Sequence, residues 1–222
     1  MDIKRFLEGF GKGTLLMLFV GGIMLYQTTS EFLVSLKPAI SFADMLEEGT
    51  VLRPGDHVGG EVVYALDYFA TESTYTRYSD GSRSGDRKAG RYYLIPTASG
   101  FVGLKSREQD VAALDTLSEE TFTYLESGAE PSTQIYTEGI VQVMEGDEAG
   151  FFTDYLESMG YTKEEIDAMG EPLLIRYRSF MAIRIMFLIG ASLCLLTIFL
   201  LCRRYKALCR DLEVARKIGT AG

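Results

Sequence analysis

The chain has 222 residues, 47% of them apolar, and carries a net charge of −9 at neutral pH. This length holds one or two domains, and the apolar share is ordinary for folded protein. The sequence contains no Asn, which excludes N-glycosylation, and its cysteines are Cys194, Cys202 and Cys209, all near the C-terminal end.

Charge and hydrophobicity are segregated along the chain. Gly13 to Ser30 and Ile185 to Cys202 are each 18 residues without a charge. A bilayer core needs roughly 20 apolar residues in helical form, with about 17 to 25 tolerated, so both runs qualify as spans. Residues 1–13 balance to +1 and residues 203–222 to +4, whereas residues 37–180 hold 12 Lys/Arg against 26 Asp/Glu. Short flanks rich in Lys and Arg stay cytoplasmic, while long domains cross largely regardless of charge. The expected layout is a cytoplasmic N-terminus (1–12), a first span (13–36), an extracytoplasmic domain (37–180), a second span (181–202) and a cytoplasmic basic tail (203–222). That places the protein in the plasma membrane with both ends cytoplasmic and the lipid bilayer as its first partner.

The first span stops before Pro38, where the chain loses a helix donor. A cleaved signal peptide is the rival reading, since Lys4 and Arg5 precede an apolar stretch. Against it, the apolar run resumes after Glu31 as Phe32-Leu33-Val34, and no Ala-x-Ala follows. Gly21-Gly22 in the middle of this span permit close helix approach. Residues 41–56 are a polar entry ending in the turn signature Arg53-Pro54-Gly55-Asp56.

From Val58 the period becomes two. Val58 to Phe69 predicts a long strand interrupted at Gly59-Gly60, and Thr74 to Tyr78 a second, β-branched and aromatic one. Asp80 to Asp86 is a polar, glycine-containing hairpin tip. Arg91–Ile95 and Phe101–Lys105 follow as strands around the turn Pro96 to Gly100. Ser106 with Gln109 has capping-box spacing for a helix through Val111 and Leu114, and Ser118 with Glu119 and Glu120 opens a second one ending at Gly128. Strand pattern returns from Gln134 to Met144. Asp147 is expected to cap a helix that Gly160 ends, Thr162 and Glu165 form a capping box for a short helix to Met169, and Pro172 leads a strand into the second span. The fold class expected is membrane α+β: two transmembrane helices flanking a β-rich domain with inserted helices. That domain takes the form of a small OB-like barrel or, as its alternative, a plain α+β sheet.

The run Pro54-Gly55-Asp56-His57-Val58-Gly59-Gly60, the string Tyr64-Ala65-Leu66-Asp67-Tyr68-Phe69, and Arg91-Tyr92-Tyr93-Leu94-Ile95-Pro96 ahead of Phe101-Val102-Gly103-Leu104 resemble uncharacterised bacterial two-span membrane proteins with a β-rich extracytoplasmic domain. The likeness covers roughly residues 50–180. It implies topology and a bacterial origin, and carries no assigned activity.

Chemistry-bearing motifs are few. His57, the single histidine, lies in a turn, and no Gly-x-Ser-x-Gly elbow places a serine for nucleophilic attack. Asp80, Ser82, Ser84 and Asp86 superficially suggest a calcium loop, but Arg83, Arg87 and Lys88 stand among the would-be ligands and oppose a cation. The acidic pairs mostly start helices, where negative charge suits the dipole. No catalytic residue, metal ligand or cofactor is therefore expected, and the acidic middle domain excludes nucleic acid, whose contact relies on Lys and Arg.

Two groups of residues remain. Glu31 lies 18 residues outward from Gly13, and Arg184 lies 18 residues before Cys202, so both sit roughly 27 Å up a span and are expected to pair at the outer interface. Arg203, Arg204, Lys206 and Arg210 line a tail in which Tyr205, Leu208, Leu212 and Ala215 recur at helical spacing, which predicts a basic amphipathic helix at the inner membrane surface. The functional expectation is a non-enzymatic binding, sensing or scaffold protein, with a protein partner for its domain or tail. The alternative is an accessory subunit of a membrane transporter or protease, or a membrane enzyme without a recognisable motif.

Overall fold

The computed structural model describes residues 12–85 and 87–219. They form two compact units: the chain up to Leu33 together with the chain from Phe180 onward, and Val34–Ser179.

In chain order, α1 is Lys12–Ser35, and Lys37 N donates to Val34 O as the helix ends before Pro38. Ser41 and Asp44 then exchange backbone-to-side-chain hydrogen bonds of 3.0 Å that open a short 3-10 turn. The strands β1 (His57–Glu61), β2 (Tyr68–Thr74), β3 (Arg87–Thr97) and β4 (Gly100–Lys105) precede α2 (Val111–Ser127). After β5 (Tyr136–Val143) come α3 (Asp147–Ser158), α4 (Lys163–Ala168), β6 (Leu173–Tyr177) and α5 (Phe180–Gly219).

The six strands make one sheet in the order β1-β5-β6-β4-β3-β2, with β4 and β6 parallel and every other pair antiparallel. Its two end strands are consecutive in the chain. The residues joining them stay close to both neighbours: Val62 N donates to Ile135 O, Leu66 N to Leu94 O, and Leu94 N to Asp67 O. The stretch from His57 to Thr74 thus borders β5 with its first part and β3 with its second, and the sheet curls around an interior. Val58, Val62, Ala65, Tyr93, Leu104, Val141 and Ile175 fill that interior, and Leu114 and Leu117 of α2 close it. On the outer face a second cluster joins Leu94 and Leu174 of the sheet to Phe152 and Leu156 of α3 and Ile166 of α4. Each fully buried leucine in these clusters contributes about 2 kcal/mol. Gly103 lies beneath the second cluster, where a Cβ would meet Leu174 at 2.9 Å and Phe69 at 3.2 Å.

Several local expectations shift. The strand from Val58 breaks at residues 62–67 rather than at Gly59-Gly60, because Val62, Ala65 and Leu66 turn into the two clusters. The second strand lies earlier, at Tyr68–Thr74, and residues 75–78 belong to the hairpin extension bridged at Arg77–Arg83. Ser106 does not cap a helix. Its hydroxyl accepts from Arg91 N, and the helix starts at Val111 after a 3-10 turn. Ser118 is buried inside the single helix α2, which ends at Gly128 with φ of 76°, a left-handed conformation that suits glycine. The Thr162–Glu165 capping box forms in both directions.

In the helical unit α1 and α5 run antiparallel. Phe32 stacks on Phe187 with ring centroids 3.9 Å apart. Further along, a Cβ on Gly21 would lie 2.9 Å from Cys194 Sγ and 3.0 Å from Gly190 O, so glycine there lets the backbones approach. Thr28 and Thr197 are buried and return their hydroxyls to Met24 O and Leu193 O in the preceding turn, so each of these two hydroxyls has an acceptor in its apolar setting.

Candidate functional site

The pleat dictates what the outer face of the sheet presents. Period-two alternation points Tyr93, Leu104 and Ile175 inward, so their neighbours Tyr92, Lys105 and Arg176 point outward. Strand register then aligns those neighbours in one row: Tyr92 opposite Lys105, Lys105 opposite Arg176, Arg176 opposite Ile140 and Ile140 opposite His57. The row runs beside the part of the face that α3 and α4 cover.

Two cations on adjacent strands repel unless each is compensated, and here both are. Lys105 Nζ donates to Glu72 Oε1 on β2 at 2.6 Å. Arg176 Nη2 donates to both oxygens of Glu148, at 2.8 and 2.6 Å, and Tyr92 Oη donates to Glu148 Oε1 at 3.1 Å. Glu148 lies in the first turn of α3, so the Arg176 pair ties the start of the inserted helices to the sheet. Burial raises the Tyr92 phenol above its ordinary range. Burial opposes the charge on Lys105, but Glu72 and Tyr92 beside it outweigh that, and its net shift is upward. The result is a half-buried, charge-neutral network.

A second network anchors α2. Arg91 Nη1 donates to both oxygens of Asp115 while its guanidinium lies 4.2 Å from the Tyr68 ring centroid. Tyr93 Oη donates to Asp115 Oδ1 at 2.6 Å and to Val111 O at 3.2 Å. Burial first, and the Asp115 bond second, push the Tyr93 phenol far above its usual range. Both networks hold helices on the sheet, and neither contains a nucleophile next to a base.

The residues singled out from the sequence are spread through the fold. His57 begins β1 with Nδ1 3.1 Å from Lys37 O. Asp80 forms the hairpin tip, accepting from the amide and hydroxyl of Ser82, and these bonds hold its carboxyl below the usual carboxylate range. Among the described residues no three of His, Cys, Asp and Glu gather as metal ligands. Tyr92 and Tyr93 are buried, whereas Tyr68, Tyr75 and Tyr78 are exposed along β2 and the hairpin, with Arg83 over the Tyr75 ring. A cleft of about 220 Å³, lined among others by Met45, Leu52, Phe101, Met169 and Glu171, opens at the β3–β4 turn.

In the helical unit, Glu31 precedes the stacked Phe32 by one residue and Arg184 precedes Phe187 by three. On antiparallel helices that puts the two within about one turn in height. Arg203, Arg204, Lys206 and Arg210 all lie on α5, which continues through the tail without a break to Gly219. The side chains of Leu208, Leu212 and Ala215 fall outside the described residues, as does the structure of residues 1–11 and 220–222. Arg203 and Arg204, with Thr14, Leu200 and Ala207, line a cleft of about 350 Å³ between the two helices.

Lys105, Arg176, Glu72 and Glu148 carry the outer network, and inspection of the sequence misses them. Alternation marks the two cations as outward, but only register makes them neighbours.

Fold and site together define an α+β domain carried between two long apolar helices. The chain belongs to the family described as a domain of unknown function, DUF8577, whose model matches residues 4–203 and so takes in both helices with the domain. Comparison with curated proteins and with solved structures gives no match.

Proposed function

We propose that this chain is an integral protein of a bacterial plasma membrane, spanning it twice with both ends cytoplasmic, and that the intervening domain is a non-enzymatic binding, sensing or scaffold module displayed on the far side. The observation that carries the membrane reading is the surface of the two helices. Within the most apolar stretch of each, only 11% is buried, and Leu16, Phe19, Leu188 and Phe199 are exposed. A core helix of a water-soluble protein buries such side chains, and hydrocarbon is the solvent that accepts them uncovered. The charge asymmetry of the flanks supports the orientation.

The domain reads best as an OB-like barrel. With His57–Thr74 taken as one bent first strand, that strand borders β3 and β5, β4 and β6 run parallel, and α2 closes the interior between β4 and β5. In barrels of this type the outer face of the second and third strands takes ligands. Here those strands are β3 and β4, and their outer face is occupied by α3 and α4, inserted between β5 and β6. The chain thus covers its own oligonucleotide face, in keeping with the acidic balance of the domain. A compensated ionic network in place of a nucleophile and base supports binding over catalysis.

Labelling tests the topology. In a chain whose three cysteines are replaced by Ser, Ser82→Cys is expected to react with an impermeant maleimide in intact cells and Lys206→Cys only after permeabilisation. Labelling of Lys206→Cys in intact cells, or release of the chain by alkaline carbonate, would overturn it. Crosslinking in cells followed by purification tests the binding role, which fails if the chain is recovered only with itself.

A further inference from the structure

We propose that the cleft between the start of α1 and the middle of α5 is a phosphate site, built to hold the headgroup of one anionic phospholipid. The cleft has a volume of about 350 Å³ and is lined by Thr14 of α1 and by Leu200, Arg203, Arg204 and Ala207 of α5. The α5 residues fall at spacings of three and four and trace one face of the helix for about two turns. Arg203 and Arg204 are the first charges after the 18 uncharged residues Ile185 to Cys202, which places their guanidiniums at the level where lipid phosphates lie. Guanidinium groups match phosphate oxygens in a planar, bidentate fashion, and the Thr14 hydroxyl adds a donor from the facing helix. Leu200 supplies an apolar wall toward the bilayer, where an acyl chain would run, and Ala207 leaves the opposite end roomy. A free phosphate shares the headgroup's chemistry but has no use for that wall, so the lipid is the occupant assigned.

This inference rests on the membrane reading above and differs from a diffuse attraction of the tail to acidic lipid. Diffuse attraction depends on each basic residue near the surface about equally. Lys206 and Arg210 are exposed on the same helix and do not line the cleft. Arg203→Gln/Arg204→Gln and Lys206→Gln/Arg210→Gln therefore remove equal charge, one pair inside the site and one outside it.

The test is native mass spectrometry of the full-length chain in neutral detergent, with phosphatidylglycerol and phosphatidylcholine offered in equal amounts. The wild-type chain is expected to retain one phosphatidylglycerol in preference to phosphatidylcholine. The 203/204 variant should lose that preference by about tenfold, while the 206/210 variant keeps it. Circular dichroism of both variants establishes that the helices remain. Equal losses in the two variants, or no preference in the wild type, would overturn the site. Displacement of the lipid by millimolar inorganic phosphate would reassign it to a soluble anion and overturn the lipid assignment. Alkaline carbonate extraction of the wild-type chain from cells separates the two ideas: a chain that resists extraction but shows no preference loses only this inference, and a chain that is extracted loses both.

Discussion

Replacing Glu148 by Ala is the sharpest test of how the inserted helices are held on the sheet. Glu148 accepts three hydrogen bonds, two from Arg176 at 2.8 and 2.6 Å and one from Tyr92 at 3.1 Å. Arg176 Nε is buried with no hydrogen-bond partner, so the guanidinium depends on its outer nitrogens. Removing one partner of a fully buried pair costs about 3–5 kcal/mol. The two side chains here are 24% and 30% exposed, which lets water take over part of the lost interaction. About 2 kcal/mol is the resulting expectation, or a loss of about 4–8 °C in Tm for a chain of this size. Glu148→Gln keeps the acceptor oxygen and should lose about half as much. Arg176→Met removes the charge together with the need for its partner, so in the double variant the two losses should not add, leaving a coupling of about 1–2 kcal/mol. Thermal unfolding of the full chain in detergent measures the four variants against wild type. Limited proteolysis should also show faster cutting between α3 and β6 in Glu148→Ala. A Tm within 1 °C of wild type, or losses that simply add, would refute the tether.

Leu156→Ala, at a fully buried position on the inner face of α3, should cost about 2–5 kcal/mol, whereas Leu125→Ala on the exposed side of α2 should change Tm little; equal effects would contradict the second cluster. Gly21→Leu should drive α1 and α5 apart because a Cβ there meets Cys194 and Gly190, while Gly22→Leu, with nothing within 4 Å, should be tolerated; thermal aggregation in detergent reads the difference. Glu120 is held below its ordinary value near 4.5, first by the Thr133 amide and then by the Ser132 hydroxyl. Its lowered folded-state pKa stabilises the fold above the ordinary value, and that contribution fades as pH falls through the folded-state value. Glu120→Gln should therefore flatten the decline in Tm on acidification below about pH 4.5, and an unchanged slope would count against the assignment. We also propose that Glu31 and Arg184 pair across the helix hairpin; Glu31→Gln should then lower the yield of a disulfide engineered across α1 and α5, and an unaltered yield would remove the pair.

Local and one-dimensional properties were legible in the residues themselves. Two long uncharged runs, the concentration of acid between them, the Thr162–Glu165 capping box and the glycine stop at Gly128 depend on composition and spacing over a few residues, and the helices appear where they say. Alternation likewise marks which side chains of β3, β4 and β6 turn inward, because the pleat is a property of the single strand. What alternation does not carry is register. The row of Tyr92, Lys105 and Arg176, the compensation of its charges by Glu72 and Glu148, and the covering of the outer face by α3 and α4 arise from contacts between segments far apart in the chain, as Lys105 is from Arg176. The break at residues 62–67 has the same origin: Val62 and Leu66 leave the strand because two separate clusters claim them, and that competition exists only once the sheet has curled. The two long apolar helices and the Thr162–Glu165 cap were determined by the sequence alone, since short-range physics decides them. The partners of each buried charge were decided by tertiary structure, since only folding brings them within reach.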